Sequence, residues 1–412
     1  MEKNTPFLAK ASSITTDLFI VGGGMAAAQL IRRLAHHGFQ GSVLLVGEES
    51  VAGYNRVLLP HYLSNQVSES DLSNTALHEP LDLAISYRLG VSVESLDTGM
   101  QRARLSDGAS VRFTQVVLAM GSAVAKPPAA ERPTPGVMSL RTWADADALE
   151  RVASRGEPLL FVGGGLLGLE AADAVLSTGC PVTLIQRSSR LMPRQIDTHA
   201  GDLLVDRLRA KGIEIVLGEE VETLQANSSG VSVAFRTQTQ RKQTFAAVVL
   251  ATGCVPRTEL ARAAGIPCER GITVDASMAS PLAGVFALGE CAEVSGTNYQ
   301  LVEPIYQQAE VLAKNLCGTS AHIPSVVQGS HLKVEDVPLF FAGVVPPEID
   351  THDAVIEDSG QRVYRRLCLQ DGVLRGAVLY GDTLGARDIQ NHINTAISPS
   401  QAQSLAFGLK AA

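Results

Sequence analysis

The chain repeats itself, and the repeat restricts what it can fold into. One segment runs Phe19-Ile20-Val21-Gly22-Gly23-Gly24-Met25-Ala26-Ala27-Ala28, continues as an amphipathic stretch to His37-Gly38, and closes on Ser42-Val43-Leu44-Leu45-Val46-Gly47-Glu48. The other runs Phe161-Val162-Gly163-Gly164-Gly165-Leu166-Leu167-Gly168-Leu169-Glu170, passes an alanine-rich stretch to Thr178-Gly179, and closes on Val182-Thr183-Leu184-Ile185-Gln186-Arg187. Each reads as strand, glycine turn, helix, strand. The spacing is G-x-G-x-x-A in the first copy (Gly22, Gly24, Ala27) and G-x-G-x-x-G in the second (Gly163, Gly165, Gly168). The first glycine permits the tight turn, and the second lets the backbone approach a pyrophosphate. The third, or a small alanine, lets the helix pack close to the strand. The phosphates then rest on free N–H groups at the helix N-terminus. Two glycine turns serving packing alone are the competing reading, but each copy has both its strand and its helix. Gly22, Gly24, Met25, Ala26 and Ala27 are therefore candidates for one dinucleotide, and Gly163, Gly165, Leu166, Leu167 and Gly168 for a second.

The repeat continues beyond these units. Alternating stretches with turns follow, Val91 to Phe113 with Ser106-Asp107-Gly108, and Val221 to Phe245 with Asn227-Ser228-Ser229-Gly230. Each leads into a near-identical strand, Val116-Val117-Leu118-Ala119-Met120-Gly121 and Val248-Val249-Leu250-Ala251-Thr252-Gly253. Ala119 and Gly121 join the first candidate site as strand-end positions, and Gly253 joins the second. A third apolar strand, Gly284-Val285-Phe286-Ala287-Leu288, ends in Gly289-Glu290-Cys291. The pattern predicts an α/β chain with two Rossmann-like dinucleotide-binding domains, each carrying an inserted antiparallel meander.

Composition removes other classes. Lys plus Arg is 34 against 42 Asp plus Glu, a net charge of −8 that argues against binding nucleic acid or an anionic membrane through bulk charge. With 45% hydrophobic and 18% charged residues the chain is a folded globular protein rather than a disordered one. Aromatics at 5% disfavour a base-stacking platform. The six cysteines are scattered, Cys254 and Cys268 being closest at 14 apart. No C-x-x-C exists, so zinc ribbons, iron–sulfur loops and dithiol motifs have no local signature, and no metal site is expected. Met1 to Asp17 lacks the basic-then-apolar order of a signal peptide. No apolar run approaches the ~20 residues of a membrane helix. A reduced, cytoplasmic protein is the expectation.

Further stretches carry a resemblance. Gly47-Glu48-Glu49 is followed by Tyr54-Asn55-Arg56-Val57-Leu58-Leu59; later come Leu191-Met192-Pro193-Arg194-Gln195-Ile196-Asp197, Ala287-Leu288-Gly289-Glu290-Cys291-Ala292-Glu293 and Leu301-Val302-Glu303-Pro304-Ile305-Tyr306. The tail adds Leu332-Lys333-Val334 and Gly376-Ala377-Val378-Leu379-Tyr380-Gly381-Asp382. With the two glycine turns, these resemble the FAD-dependent pyridine nucleotide reductase superfamily. The likeness is greatest to the flavin-containing N-terminal part of the assimilatory nitrite reductase large subunit, the nitrate reductase electron-transfer subunit and the rubredoxin reductases. The resemblance implies FAD on residues 17–123 and 248–322, NADH or NADPH on residues 124–247, and a small α+β C-terminal domain of rubredoxin-reductase type over 323–412. That last domain would contain a helix around 386–396 and help cover the flavin edge and dock a partner.

The resemblance also implies roles for side chains. Glu48 would accept hydrogen bonds from the adenosine ribose, against the alternative of a solvated strand-end acid. Arg56 would bind the flavin or its phosphates, or else form a surface salt bridge. Val93 would offer backbone groups to the adenine. Arg141 matches an arginine beside the FAD in relatives; a domain-linker salt bridge is the competing reading. Gly289-Glu290 stands where relatives usually have Gly-Asp, with the carboxylate on the ribityl or pyrophosphate side of the flavin. Glu303-Pro304 would open a helix aimed at the isoalloxazine, proline suiting a first helical position. In the second domain Gln186, followed by Arg187 and then Arg190, stands where NADH-preferring relatives place an acid. Arg187 aligns with Glu48 and can pair with a 2′-phosphate, which tilts the expectation toward NADPH with NADH still open. Lys333 could approach the flavin or an acidic partner, or be an exposed strand-end lysine.

No cysteine precedes Cys180. The thiol-relay enzymes of the superfamily need an early cysteine or a C-x-x-C, so disulfide reductase, peroxidase and single-cysteine oxidase activities are disfavoured. Cys254 and Cys291 are expected to be small fillers beside strand-end glycines. The flavin would be the only redox centre, and no side chain is assigned as catalytic. The expected activity is electron transfer from NAD(P)H through FAD to a separate redox protein: a nitrate or nitrite reductase catalytic subunit, a rubredoxin or a ferredoxin. The cysteine-rich iron–sulfur and sirohaem parts of nitrite reductase are not in this sequence, so nitrite reduction by the chain alone is not expected. A diaphorase or oxidase, and a low-turnover flavin-bearing NAD(P)H sensor, are the alternatives.

Overall fold

The structure, a computed structural model, describes residues 13–73, 82–237, 242–324, 327, 329–345 and 352–410. They form two compact units. One comprises the described residues up to Asn55, between Ser70 and Ala123, and from Val255 to 324; the other comprises Arg56–Glu69 and the described residues of Val124–Cys254 and from Val327 onward.

The first unit is built on a parallel sheet in the order Ile85–Leu89, Val43–Gly47, Ser13–Val21, Ser110–Leu118, with Val285–Ala287 parallel against the far edge of Ser110–Leu118. Val43–Gly47 is buried at every position, as a strand covered on both faces requires. The crossover helix Met25–His36 buries Ala27, Ala28, Leu30, Ile31 and Leu34, a stripe at helical spacing. It packs against the helix Val302–Leu316, and Arg33 and His37 both reach Glu310, at 3.3 and 3.1 Å. The meander strands Val93–Asp97 and Arg102–Leu105 are antiparallel. The second of them pairs with the start of Ser110–Leu118, so one long strand serves both the meander and the parallel sheet.

The second unit repeats the parallel layer in the order Glu214–Leu217, Val182–Gln186, Leu159–Val162, Ala247–Leu250, Val137–Ser139. Its helix Leu166–Ser177 follows the second glycine turn. Its meander, Val221–Asn227, Gly230–Phe235 and Lys242–Phe245, forms a separate three-stranded sheet, because the chain breaks at Ala246 before Ala247–Leu250 begins. The same unit holds a five-stranded antiparallel sheet in the order Gly329–Leu332, Leu339–Gly343, Val373–Tyr380, Val363–Gln370, His352–Asp358. Ala386, Ile389, Ala402 and Leu405 from two short helices pack with Phe340, Leu367 and Leu379 of that sheet. The helix expected over 386–396 ends at His392, where Ile393 turns to extended backbone. A further helix, Pro399–Ala406, starts on a capping box between Ser398 and Gln401.

Candidate dinucleotide sites

The two glycine turns are built alike. Gly22 and Gly163 have φ of +108° and +114°, values that favour glycine. A Cβ at Gly22 would run into the Ala119 carbonyl, and one at Gly163 into the Ala251 carbonyl. Their N–H groups donate to Val46 and Ile185 carbonyls, both at 2.8 Å. The strand-end residues Ala119 and Ala251 in turn donate to the Val21 and Val162 carbonyls, again at 2.8 Å. Gly24 and Gly165 are the N-caps of the two helices, extended in backbone and without any side-chain cap. A Cβ on either would meet nothing within 4 Å. Each helix thus begins with open space before N–H groups that no capping side chain satisfies, and a pyrophosphate fits both. Met25, Ala26 and Ala27 supply the first turn of one helix; Leu166, Leu167 and Gly168 supply that of the other.

In the first unit further candidates gather around this turn. Glu48 follows the strand Val43–Gly47, and its carboxylate lies 2.8 Å from Nη1 of Arg257. Arg257 also donates its backbone N–H to the Gly121 carbonyl at 3.0 Å. Gly289, with φ +82°, sits so close to the helix that a Cβ would reach that of Ala26 at 3.0 Å. Its N–H donates to Oε1 of the wholly buried Gln308 at 2.8 Å. The Ser122 hydroxyl donates to the Glu290 carboxylate at 2.6 Å. Val93 opens its meander strand opposite Leu105. The helix expected to open at Glu303-Pro304 begins one residue earlier, at Val302 with Leu301 as N-cap. Pro304 is therefore its third residue, still among the first four, whose N–H groups have no partner within the helix.

Arg56 and Arg141 lie together in the second unit. The Arg56 guanidinium donates to the Arg141 carbonyl at 2.7 Å, while the Arg141 N–H donates to Asp145 at 2.9 Å. Arg141 thus meets Arg56 through its backbone. Asp145 belongs to the capping box that starts the helix Trp143–Ala153.

At the second turn Gln186 folds back. Its Oε1 accepts the Gly164 N–H at 2.9 Å, its Nε2 donates to the Ser188 hydroxyl at 2.6 Å, and that hydroxyl donates to the Arg190 carbonyl at 2.8 Å. The amide braces the glycine turn. The Arg190 guanidinium is held by the Pro193 carbonyl and the Thr198 hydroxyl, at 3.0 and 3.2 Å. Arg187 projects outward, its side chain 82% exposed, with Nε 3.5 Å from Glu220. Gly253, with φ +97°, accepts the Ala125 N–H at 2.9 Å.

Three residues that sequence reasoning passed over enter these surroundings: Ser122, Arg257 and Glu220. Each lies at or beside the end of a strand and is ordinary in sequence; only the charge-bearing neighbour identifies it. A cavity of about 460 Å³ in the second unit is lined by His61, Gln66, Glu170, Asp173, Lys333 and Glu335, among others. Glu170 accepts the Lys333 backbone N–H at 3.0 Å, and burial raises its carboxyl above the ordinary value, opposed by that bond and by the charges of Lys333 and His61. Of the two cysteines read as fillers, Cys291 is wholly buried and its thiol is pushed up to about 11 by burial. Cys254 is only half-buried. No disulfide joins any of the six cysteines. Among the described residues no cluster of three or more His, Cys, Asp or Glu could hold a metal ion, and no helix is long and apolar enough to cross a membrane.

Residues 16–311 match the family described as pyridine nucleotide-disulphide oxidoreductase. The chain belongs to that family. Its members are FAD-binding oxidoreductases that use a nicotinamide nucleotide, and the two open glycine caps suit both groups. Residues 330–397 match the rubredoxin NAD+ reductase C-terminal domain. Among curated proteins, the assimilatory nitrate reductase electron transfer subunit of Bacillus subtilis (strain 168) is 30% identical over 89% of this chain and 48% of its own length. The nitrite reductase [NAD(P)H] of the same organism is 32% identical over 89% of this chain and 46% of its own. The chain thus spans about half the length of these relatives. A chain of the covalent putidaredoxin reductase–putidaredoxin complex shares the fold, with a TM-score of 0.84 and 22% identity over 96% of this chain and 99% of its own.

Proposed function

We propose that the chain carries electrons from a nicotinamide nucleotide through FAD to a separate redox protein. The observation that carries this reading is the pair of open glycine caps in one chain that has no paired thiols to relay electrons. When bound, the flavin supplies a hydride acceptor that can release two electrons singly. The chain's own residues bind and orient. The first turn, with Ala119, Gly121, Gly289 and Glu290, would hold FAD on residues 17–123 and 255–322, without Ala247–Leu250, which pair in the second unit's sheet, and Glu48 would hold its ribose hydroxyls. Val93 would meet the adenine through its backbone, and Arg56 and Arg141 would serve the flavin side. The first N–H groups of the helix Val302–Leu316, at Glu303 and its neighbours, would stabilise negative charge on the reduced ring. Residues 124–254 would hold the nicotinamide nucleotide, with Gln186 and Arg190 shaping the turn, Gly253 closing it, and Arg187 at its ribose end favouring NADPH slightly over NADH. The partner is a nitrate or nitrite reductase catalytic subunit, a rubredoxin or a ferredoxin. The likeness to electron-transfer and nitrite reductase proteins and the C-terminal rubredoxin-reductase domain over 323–412 support this choice. The location that goes with such partners is the cytoplasm.

Anaerobic rapid mixing of the FAD-loaded chain with NADPH and NADH tests the reading. Fast bleaching of the flavin, slow reoxidation by oxygen and fast reoxidation by an iron–sulfur protein are expected. Slow bleaching by both nucleotides would defeat it, and reoxidation by oxygen or quinone as fast as by the protein acceptor would make the chain a diaphorase or oxidase.

A further inference from the structure

Arg187 does not stand alone at the ribose end of the second turn. The carboxylate of Glu220 lies between two guanidinium groups, 3.5 Å from Nε of Arg187 and 2.5 Å from Nη1 of Arg236. Its side chain is 26% exposed, against 82% and 59% for the two arginines. The backbone fixes this arrangement. The Gly218 N–H donates to the Ser188 carbonyl and the Glu219 N–H to the Gln186 carbonyl, both at 3.1 Å, so the end of Glu214–Leu217 is tied to the loop that carries Arg187. Glu219 is 2% exposed and accepts the N–H groups of Glu220 and Thr237, both at 3.0 Å. The Arg236 N–H donates to the Glu220 carbonyl at 3.0 Å, which sets Arg236 beside residue 220. Gln186, the residue before Arg187, bonds the glycine turn itself.

We infer that Glu220 is a specificity-determining residue: its carboxylate occupies, as a built-in anion, the Arg187–Arg236 pair that the 2′-phosphate of NADPH would otherwise engage. This rests on the reading that the second turn binds a nicotinamide nucleotide. A phosphate and a carboxylate make the same charge-assisted bonds to guanidinium, so they compete for one pair of donors. A 5′-AMP moiety lacks the 2′-phosphate and does not enter that competition. The wild-type chain is therefore less selective for NADPH than Arg187 alone would make it.

The test is equilibrium binding of 5′-AMP and 2′,5′-ADP to the FAD-loaded full chain, which needs no turnover. Glu220→Gln should tighten 2′,5′-ADP by about three- to tenfold, the weight of a partly exposed ion pair, and leave 5′-AMP unchanged. Glu220→Ser, which leaves the backbone bonds of 218–220 in place, should give the same gain. Arg187→Met in the Glu220→Gln background should abolish it. The gain should shrink at high salt. An unchanged ratio of the two affinities in both Glu220 variants, or equal tightening of both ligands, would overturn the inference while leaving the nucleotide site standing. Failure of the wild type to bind either ligand would overturn the nucleotide assignment, and the inference with it.

Discussion

The two glycine turns share a backbone and differ at their edges. Gly22 and Gly163 match in φ, in the carbonyl each lies beneath and in both strand-end hydrogen bonds. At the third fingerprint position the copies part. Ala27 is accommodated, wholly buried, in the first, whereas a Cβ at Gly168 would run into the Gly163 carbonyl. The second helix therefore packs closer to its turn. After the second strand of each copy the charges are reversed: Glu48 is paired with Arg257 in the first copy, and Arg187 with Glu220 in the second. Two residues further along the helices, Gln29 in the first copy corresponds to Glu170 in the second. A common backbone thus recurs with different packing and opposite charge at the matching edge position.

The largest effect is expected at the third position. Gly168→Ala puts a methyl group against backbone, which cannot yield as a flexible side chain would. It should destabilise the second unit by about 2–4 kcal/mol and remove most 5′-AMP binding. The reciprocal Ala27→Gly should cost only about 1–2 kcal/mol, the helix preference of alanine over glycine plus one buried methyl group. Denaturant unfolding with nucleotide titration compares them; equal costs would break the asymmetry between the copies.

The next effect concerns polarity. Glu48→Gln keeps the shape but removes the charge that strengthens hydrogen bonds to ribose hydroxyls. It should weaken FAD retention by roughly tenfold, within the range of a hydrogen bond to a charged group. It should also release Arg257 from an exposed ion pair worth less than about 1 kcal/mol, so stability of the protein stripped of flavin should barely change. Fluorescence titration of FAD into the stripped protein measures the first quantity and thermal unfolding the second. A large loss of stability with intact FAD affinity would assign Glu48 to structure instead.

The shared backbone was legible in the sequence and the edges were not. Glycine spacing, flanking apolar strands and the near-identical Val116–Gly121 and Val248–Gly253 stretches specify a turn whose geometry is dictated by sterics, so both copies could be read from residue type alone. The meanders were legible as alternation, but one long strand at 110–118 and a break at Ala246 differ by a single kink that alternation does not reveal. The partners of Glu48, Glu290 and Arg187 were illegible because Arg257, Ser122 and Glu220 lie 209, 168 and 33 residues away from them in sequence. Gln186 misleads in another way. It stands where the resemblance implies a ribose-binding acid, yet its amide is spent on Gly164 and Ser188. A polar side chain near its own turn can satisfy the backbone instead of a ligand, and residue type does not say which.

The smallest expected effect tests the difference between Gln29 and Glu170. The partly buried Glu170 carboxyl keeps its proton to higher pH in the folded chain than in the unfolded one, where it titrates near 4.5. Between those two values the folded state binds more protons, so this group's contribution to stability falls as pH rises through the window. Glu170→Gln removes that titration, keeps an acceptor for the Lys333 N–H, and gives the second helix the residue type of the first. It should leave stability unchanged at the acid edge of the window and raise it by no more than about 1 kcal/mol above it. Chemical unfolding from pH 4.5 upward follows the difference between variant and wild type. A difference that does not grow with pH would mean that Lys333 and His61 already offset the burial of Glu170, and that the acid in the second copy costs the fold nothing.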